Sequence, residues 1–139
     1  MSNGNQGRGI PAPEIQPNLQ NLKFSFKHLD AANPKFPLTL CDDGFLRELL
    51  LKIKEFSGWT VDQFIDQNNN EHRHIIFFPE TSEPEGFTSV DLEQFAYHES
   101  WQFQISQNQH WRVHGVLIED TFYVVWLDPD HRLYAANAD

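Results

Sequence analysis

Between Trp101 and Tyr134 the chain reads WQFQISQNQHWRVHGVLIEDTFYVVWLDPDHRLY, three apolar-patterned runs separated by short turn-like segments. In the first run Trp101, Phe103 and Ile105 oppose Gln102, Gln104 and Ser106. In the second, Trp111, Val113, Gly115 and Leu117 oppose His110, Arg112, His114, Val116 and Ile118. In the third, Phe122, Val124 and Trp126 oppose Tyr123, Val125 and Leu127. A period of two is the mark of a strand, because successive side chains point to opposite faces of the sheet. Connections of roughly three to five residues make an antiparallel meander the economical topology. The third run is apolar on both faces, so that strand is expected at the centre of the sheet with both sides covered.

Upstream, Leu22-Lys23-Phe24-Ser25-Phe26-Lys27 alternates apolar and polar and predicts a half-buried strand. After Asn33-Pro34 and Pro37, Leu38 and Leu40 suggest a brief extended piece. Asp42 or Asp43 suits a helix N-cap, whose carboxylate accepts from unpaired amides. From Gly44 to about Ser57, Phe45, Leu46, Leu49, Leu50, Ile53 and Phe56 form one broad apolar stripe, with Gly58 placed as a left-handed C-cap. Thr60 and Gln63 have capping-box spacing and predict a second, short helix to about Asp66. His72 to Phe78 reads as a strand closed by Pro79, followed by an acidic, turn-rich loop over 80–90. One or two helical turns are expected over 91–98, with Leu92 and Phe95 inward.

The resulting fold class is α+β: an antiparallel twisted sheet of about four to five strands with one or two N-terminal helices packed on one face. The other face must be closed by the piece near Leu92, a second subunit or a ligand. Residues 1–21, rich in Gly, Asn, Gln and Pro, predict a flexible tail; 22–134 form a single domain and 135–139 a short C-terminal tail.

Net charge is −10, and from Glu55 onward there are fifteen acids against three strong bases, Arg73, Arg112 and Arg132. Such a half repels phosphate backbones unless those arginines converge, so general nucleic-acid binding is disfavoured. Cys41 is the only cysteine, which excludes an intrachain disulfide and suits a reducing compartment. With no apolar run of membrane-spanning length and no visible secretory signal, a soluble cytoplasmic protein without membrane contact is expected.

The candidate site is Arg112, His114, His131, Arg132 and Tyr134, joined by His72, Arg73 or His74. Arg112 and His114 lie two apart on one strand and share a face, and in a meander the end of the third strand returns near the start of the second. Arg, His and Tyr together supply what RNA cleavage by side chains needs: a base for a 2′-hydroxyl, a cation for developing phosphate charge, and an acid for the leaving oxygen. The competing reading pairs Arg112 and Arg132 with Asp128, Asp130 or Glu99 and leaves His114 and Tyr134 to packing. His72-x-His74 with Asp128, Asp130 and His131 offers metal-ligand types, but nothing brings them together, and no metal or cofactor is expected. Cys41, just before a helix N-terminus, has the position of an activated thiol but no partner signature, and a small buried hydrophobe is the expectation. No phosphate-binding glycine loop, zinc-finger spacing or Gly-x-Ser-x-Gly elbow occurs.

The order of parts in this C-terminal half resembles the RelE/ParE superfamily of small bacterial toxins. Trp111-Arg112-Val113-His114 stands where that family has its arginine strand, Phe122 to Trp126 matches the hydrophobic strand, and His131-Arg132-Leu133-Tyr134 the terminal segment. The resemblance covers about forty residues of short motifs. It implies a toxin of a toxin–antitoxin system, an endoribonuclease acting on messenger RNA, with an antitoxin as partner. Arg112, His131 and Tyr134 carry over as its catalytic residues, with Arg132 beside them. The chain departs from the family in being strongly acidic and in its longer N-terminal segment. A ribosome-independent relative, or one that kept the fold without the activity, suits that charge. The alternative expectation is a non-enzymatic docking module whose apolar second face, with Tyr123, Val125 and Leu127, takes an antitoxin, another protein partner or a second copy of the chain.

Overall fold

The third patterned run becomes β5 (Thr121–Asp128), and the sheet is assembled on both of its edges. The computed structural model describes residues 20–66, 72–90, 95, 98–106 and 110–134. On one side of β5 lies β1 (Lys23–Ser25), parallel to it, with Phe24 opposite Phe122. On the other side β4 (Arg112–Ile118), β3 (Ser100–Gln104) and β2 (Arg73–Ile75) follow as an antiparallel meander, giving the order β1-β5-β4-β3-β2. The fold is therefore α+β with an open, mostly antiparallel five-stranded sheet, and the doubly apolar strand is interior, as its sequence predicts.

The helix α1 (Asp43–Ser57) starts at Asp42, whose carboxylate accepts from the Phe45 amide at 2.9 Å. It lays Phe45, Leu49 and Phe56 against Trp101, Phe103, Val113 and Phe122 on the first face of the sheet. The apolar stripe is narrower than the sequence suggests: Leu46 and Leu50 remain 42% and 65% exposed, because contact with the sheet runs along the Phe45–Leu49–Phe56 line. Gly58 does not adopt the left-handed conformation expected of it; its φ is −91°, and the chain tightens through Gly58 N–H to Glu55 O and Trp59 N–H to Phe56 O. The short α2 (Val61–Phe64) has the expected capping box, the Thr60 amide donating to Gln63 Oε1 at 2.8 Å and the Gln63 amide to Thr60 Oγ1 at 3.2 Å.

Other expectations are corrected. Leu38–Leu40 is a 3-10 turn rather than an extended piece. The strand expected over His72 to Phe78 shortens to β2, since Pro79 has no amide for a ladder and Phe78–Glu80 coils into a second 3-10 turn. Asn21, assigned to the tail, bridges Thr60, and the Gln20 carbonyl accepts from the Val61 amide. Residues 1–19 and 135–139, and most of the helical turn expected over 91–98, lie outside the described residues, although Phe95 is buried.

The second face is closed by the chain itself. Phe36, Ile76, Phe87, Phe95 and Leu133 pack on Val116, Val125 and Trp126. Trp126 stacks on Phe36 at 4.6 Å and meets the edge of Phe87 at 4.7 Å. The sequence alternation puts Trp126 with Phe122 and Val124 on the first face; the structure reverses this. Gly115 pairs with Val124 and His114 with Trp126, so Val125 is an extra residue, a β-bulge that flips everything after it. Trp126 thereby turns to the second core and Leu127 to the first. The bulge is tied down from outside by the Asp30 amide donating to Val125 O at 2.9 Å and by Trp126 Nε1 donating to Asp30 Oδ2 at 3.2 Å.

Candidate functional site

The register of the meander places polar side chains in one row across the second face: His74 opposite Gln102, and Gln102 opposite His114. Arg112 lies two residues before His114 on β4 and shares its face. Simple alternation from Phe122 would direct Asp128 away from this row. The bulge directs it inward, and its Oδ2 accepts from His114 Nε2 at 2.9 Å with both side chains essentially unexposed, 0% and 1%.

Asp128 is also the anchor of the C-terminal turn. Oδ1 accepts from the Arg132 amide at 2.7 Å and Oδ2 from the Leu133 amide at 3.0 Å. Burial pushes this carboxyl upward, but the hydrogen bond and charge of His114 and the two amides outweigh it and hold its pKa below the ordinary value. One buried carboxylate thus clamps the segment carrying His131 and Tyr134 to the arginine strand. His131 sits in the left-handed region at φ +57°, the conformation that turns the chain back over the sheet end.

The rings then form a chain along the site: His131 is 6.0 Å from His110 and 5.7 Å from Tyr134, and Tyr134 is 6.3 Å from His74. The half-buried Arg112 donates from Nη1 to Trp111 O at 3.2 Å, and its charge reaches His74. The pKa of His74 is lowered first by desolvation, then by Arg112 and His114, against an opposing hydrogen bond to the Ile75 carbonyl. Gln102 Nε2 lies 2.9 Å from His74 Nε2. Gln102 Oε1 and His114 Nδ1 are buried atoms with no hydrogen-bond partner among the described residues.

Arg112, His114, His131 and Tyr134 are therefore brought together, with His74 as a further member. Arg132 is not: its amide serves Asp128, while its guanidinium turns outward to Asp130 Oδ2 at 3.2 Å and Lys35 O at 3.2 Å. Arg73 lies on the opposite face, 5% exposed, its guanidinium 4.9 Å from the Trp59 ring and its Nε donating to Phe64 O. Burial pushes the Cys41 thiol up to about 11, aided by Asp42, Asp128 and Asp130, the opposite of the activation that a place before a helix could confer.

Among the described residues no group of three or more His, Cys, Asp or Glu side chains is placed to hold a metal ion, and no helix is long and apolar enough to cross a membrane. Two clefts lie away from the cluster, one lined by Trp59, Gln63, Asp66 and Arg73, the other by Phe78, Phe87, Phe95 and His98 among others. Chemically, the cluster offers a cation, two imidazoles and a phenol beside a buried carboxylate–imidazole pair. No protein-family model, curated protein or solved structure matches the chain.

Proposed function

We propose that this protein is a toxin-like endoribonuclease of a toxin–antitoxin system, cleaving messenger RNA with side-chain acid–base chemistry at Arg112, His131 and Tyr134. The observation that carries the reading is the register that sets Arg112 opposite Asp128, whose carboxylate clamps the turn bearing His131 and Tyr134, the two rings in contact. Arg112 offsets the negative charge that builds on a phosphate during attack of the neighbouring 2′-hydroxyl. His131 and Tyr134, in ring contact at 5.7 Å, provide a proton donor for the leaving 5′-oxygen and a hydrogen bond to the phosphate. The His114–Asp128 pair holds the strand and the turn in mutual register and is a positioning element. The resemblance of the arginine strand and terminal segment to RelE/ParE toxins supports the same assignment.

The test is expression of the wild type beside Arg112→Ala, followed by growth and RNA integrity. The wild type is expected to arrest growth and fragment RNA, and the variant to lose about a hundredfold or more of that activity. Intact RNA in both cultures counts against the reading.

The docking-module alternative finds less support on the sheet, because Val125 and Leu127 are buried by the chain's own residues and Tyr123 packs on His28 and Phe95. What supports a protein partner is α1, where Leu46, Leu50 and Leu51 are exposed on one short helix. A discrete oligomer by light scattering favours that reading; a monomer that takes up no antitoxin-like chain counts against it.

A further inference from the structure

We propose that the outer side of α1 is a self-association surface, on which a second copy of this chain docks its own α1 antiparallel about a two-fold axis. This gives the exposed leucines of the helix a partner, and it is independent of the endoribonuclease reading. The helix covers the first face of the sheet, whereas the polar cluster lies on the second. Leu46 and Leu50 are exposed one helical turn apart, off the Phe45–Leu49–Phe56 line that meets the sheet. Asp43 precedes Leu46 by three residues and Lys54 follows Leu50 by four. The four side chains therefore form one stripe, with an acid at its start, two leucines in its middle and a base at its end. The other charges of the stretch from Arg47 to Glu55 are engaged within the helix, Arg47 with Glu48 and Lys52 with Glu55. Asp43 and Lys54 are exposed, and neither side chain has an ion-pair partner among the described residues.

The order of the stripe decides both the occupant and its direction. Asp43 and Lys54 are separated by about 16 Å along the axis, too far to pair within one helix. A second copy laid antiparallel brings Leu46 of one chain beside Leu50 of the other. Asp43 of each chain then falls within one residue's rise of Lys54 of its neighbour. An ion pair forms at each end of the leucine cluster, and the two-fold axis makes the two pairs identical. A parallel pairing about a two-fold would instead set Asp43 against Asp43 and Lys54 against Lys54, and like charges repel. Two leucines per copy make a small contact, so the dimer belongs with the weak associations that bury less than about 1,200 Å². The second face of the sheet, with the polar cluster, stays open in such a dimer.

Sedimentation equilibrium of the full-length protein at low salt, from about 10 μM to about 1 mM, spans the range of a weak interface. The wild type is expected to pass from monomer to dimer as concentration rises. Leu50→Gln alters a position that faces solvent in the monomer; it should keep the wild-type circular dichroism and remain monomeric. Asp43→Lys and Lys54→Glu each turn both ion pairs into repulsions and should weaken self-association by about tenfold or more. Mixed together, these two variants restore opposite charges across the interface and should form a heterodimer with near wild-type affinity. A general loss of helix stability cannot produce that recovery. A wild type that stays monomeric up to about 1 mM overturns the proposal while leaving α1 open to a different protein. A dimer unchanged in Leu50→Gln or in either charge variant overturns it too, because that dimer uses another surface.

Discussion

Asp128 carries three hydrogen bonds on one carboxylate, and each ties a different part of the site to the sheet: His114 on β4, and the Arg132 and Leu133 amides of the turn. Replacing it by Asn keeps the shape but removes the charge and turns one acceptor into a donor facing donors. Breaking a buried pair of this kind costs about 3 to 5 kcal/mol, because the partner is left buried and uncompensated. Asp128→Asn is therefore expected to lose stability of that order in urea unfolding at pH 7; a loss below about 1 kcal/mol would show the clamp to be unimportant. The pH dependence follows from the sign of the shift. The folded pKa lies below the ordinary 3.8, so the unfolded chain binds the proton more readily. Stability is present in full above 3.8 and is lost as pH falls through the lower folded value. The acid limb of the wild-type stability curve should be steeper than that of Asp128→Asn.

At the scale of the strand, the bulge in β5 decides which side chains can meet. Gly115 makes it possible: a Cβ there would lie 2.2 Å from Tyr123 O and 2.5 Å from the Phe122 ring. Those are backbone and packed aromatic atoms, which cannot swing aside. Gly115→Ala should lower stability by at least the about 1–3 kcal/mol typical of overpacking and shift the environment of Trp126, seen in its fluorescence. Unchanged unfolding and fluorescence would mean that β5 closes on β4 without needing that space. The same bulge explains what the sequence could and could not reveal. Period-two alternation located all three C-terminal strands and the correct faces of Trp101, Phe103, Val113 and Phe122. It failed from Trp126 onward, because one inserted residue reverses the phase, and so it missed the His114–Asp128 pair. A glycine inside a strand was the one local sign of that reversal. His74 was legible only as a neighbour, since its place beside Gln102 depends on register between strands 28 residues apart. The breadth of the α1 stripe was overread for a related reason: helical periodicity shows which residues are able to face a core, and the docking angle selects among them.

Across the whole molecule, the closing of the second face and the distribution of charge act together on what the site can hold. The loop after β1 and the segment after β2 fold back over β5 through Phe36, Ile76 and Phe87, contacts between distant parts of the chain that no local pattern encodes. They cover most of that face and leave the polar row at its end. The C-terminal half has only three strong bases. Arg73 is buried beneath Trp59 and Phe64 on the other face, and Arg132 is engaged by Asp130 and Lys35 O. Arg112 is left as the strong base at the cluster, so an RNA bound there meets one or two phosphate contacts rather than a basic track. Each phosphate neutralised on a single strand contributes about −0.7 to the slope of log affinity against log salt, so a slope near −1 is expected. Between 50 and 200 mM salt the KM for a short RNA should then rise roughly fourfold, where a protein making six contacts to a single strand would lose about three hundredfold. Measuring KM over that range checks this directly. A slope of −4 or steeper would require cations beyond Arg112, and with them a binding surface that the acidic half does not supply.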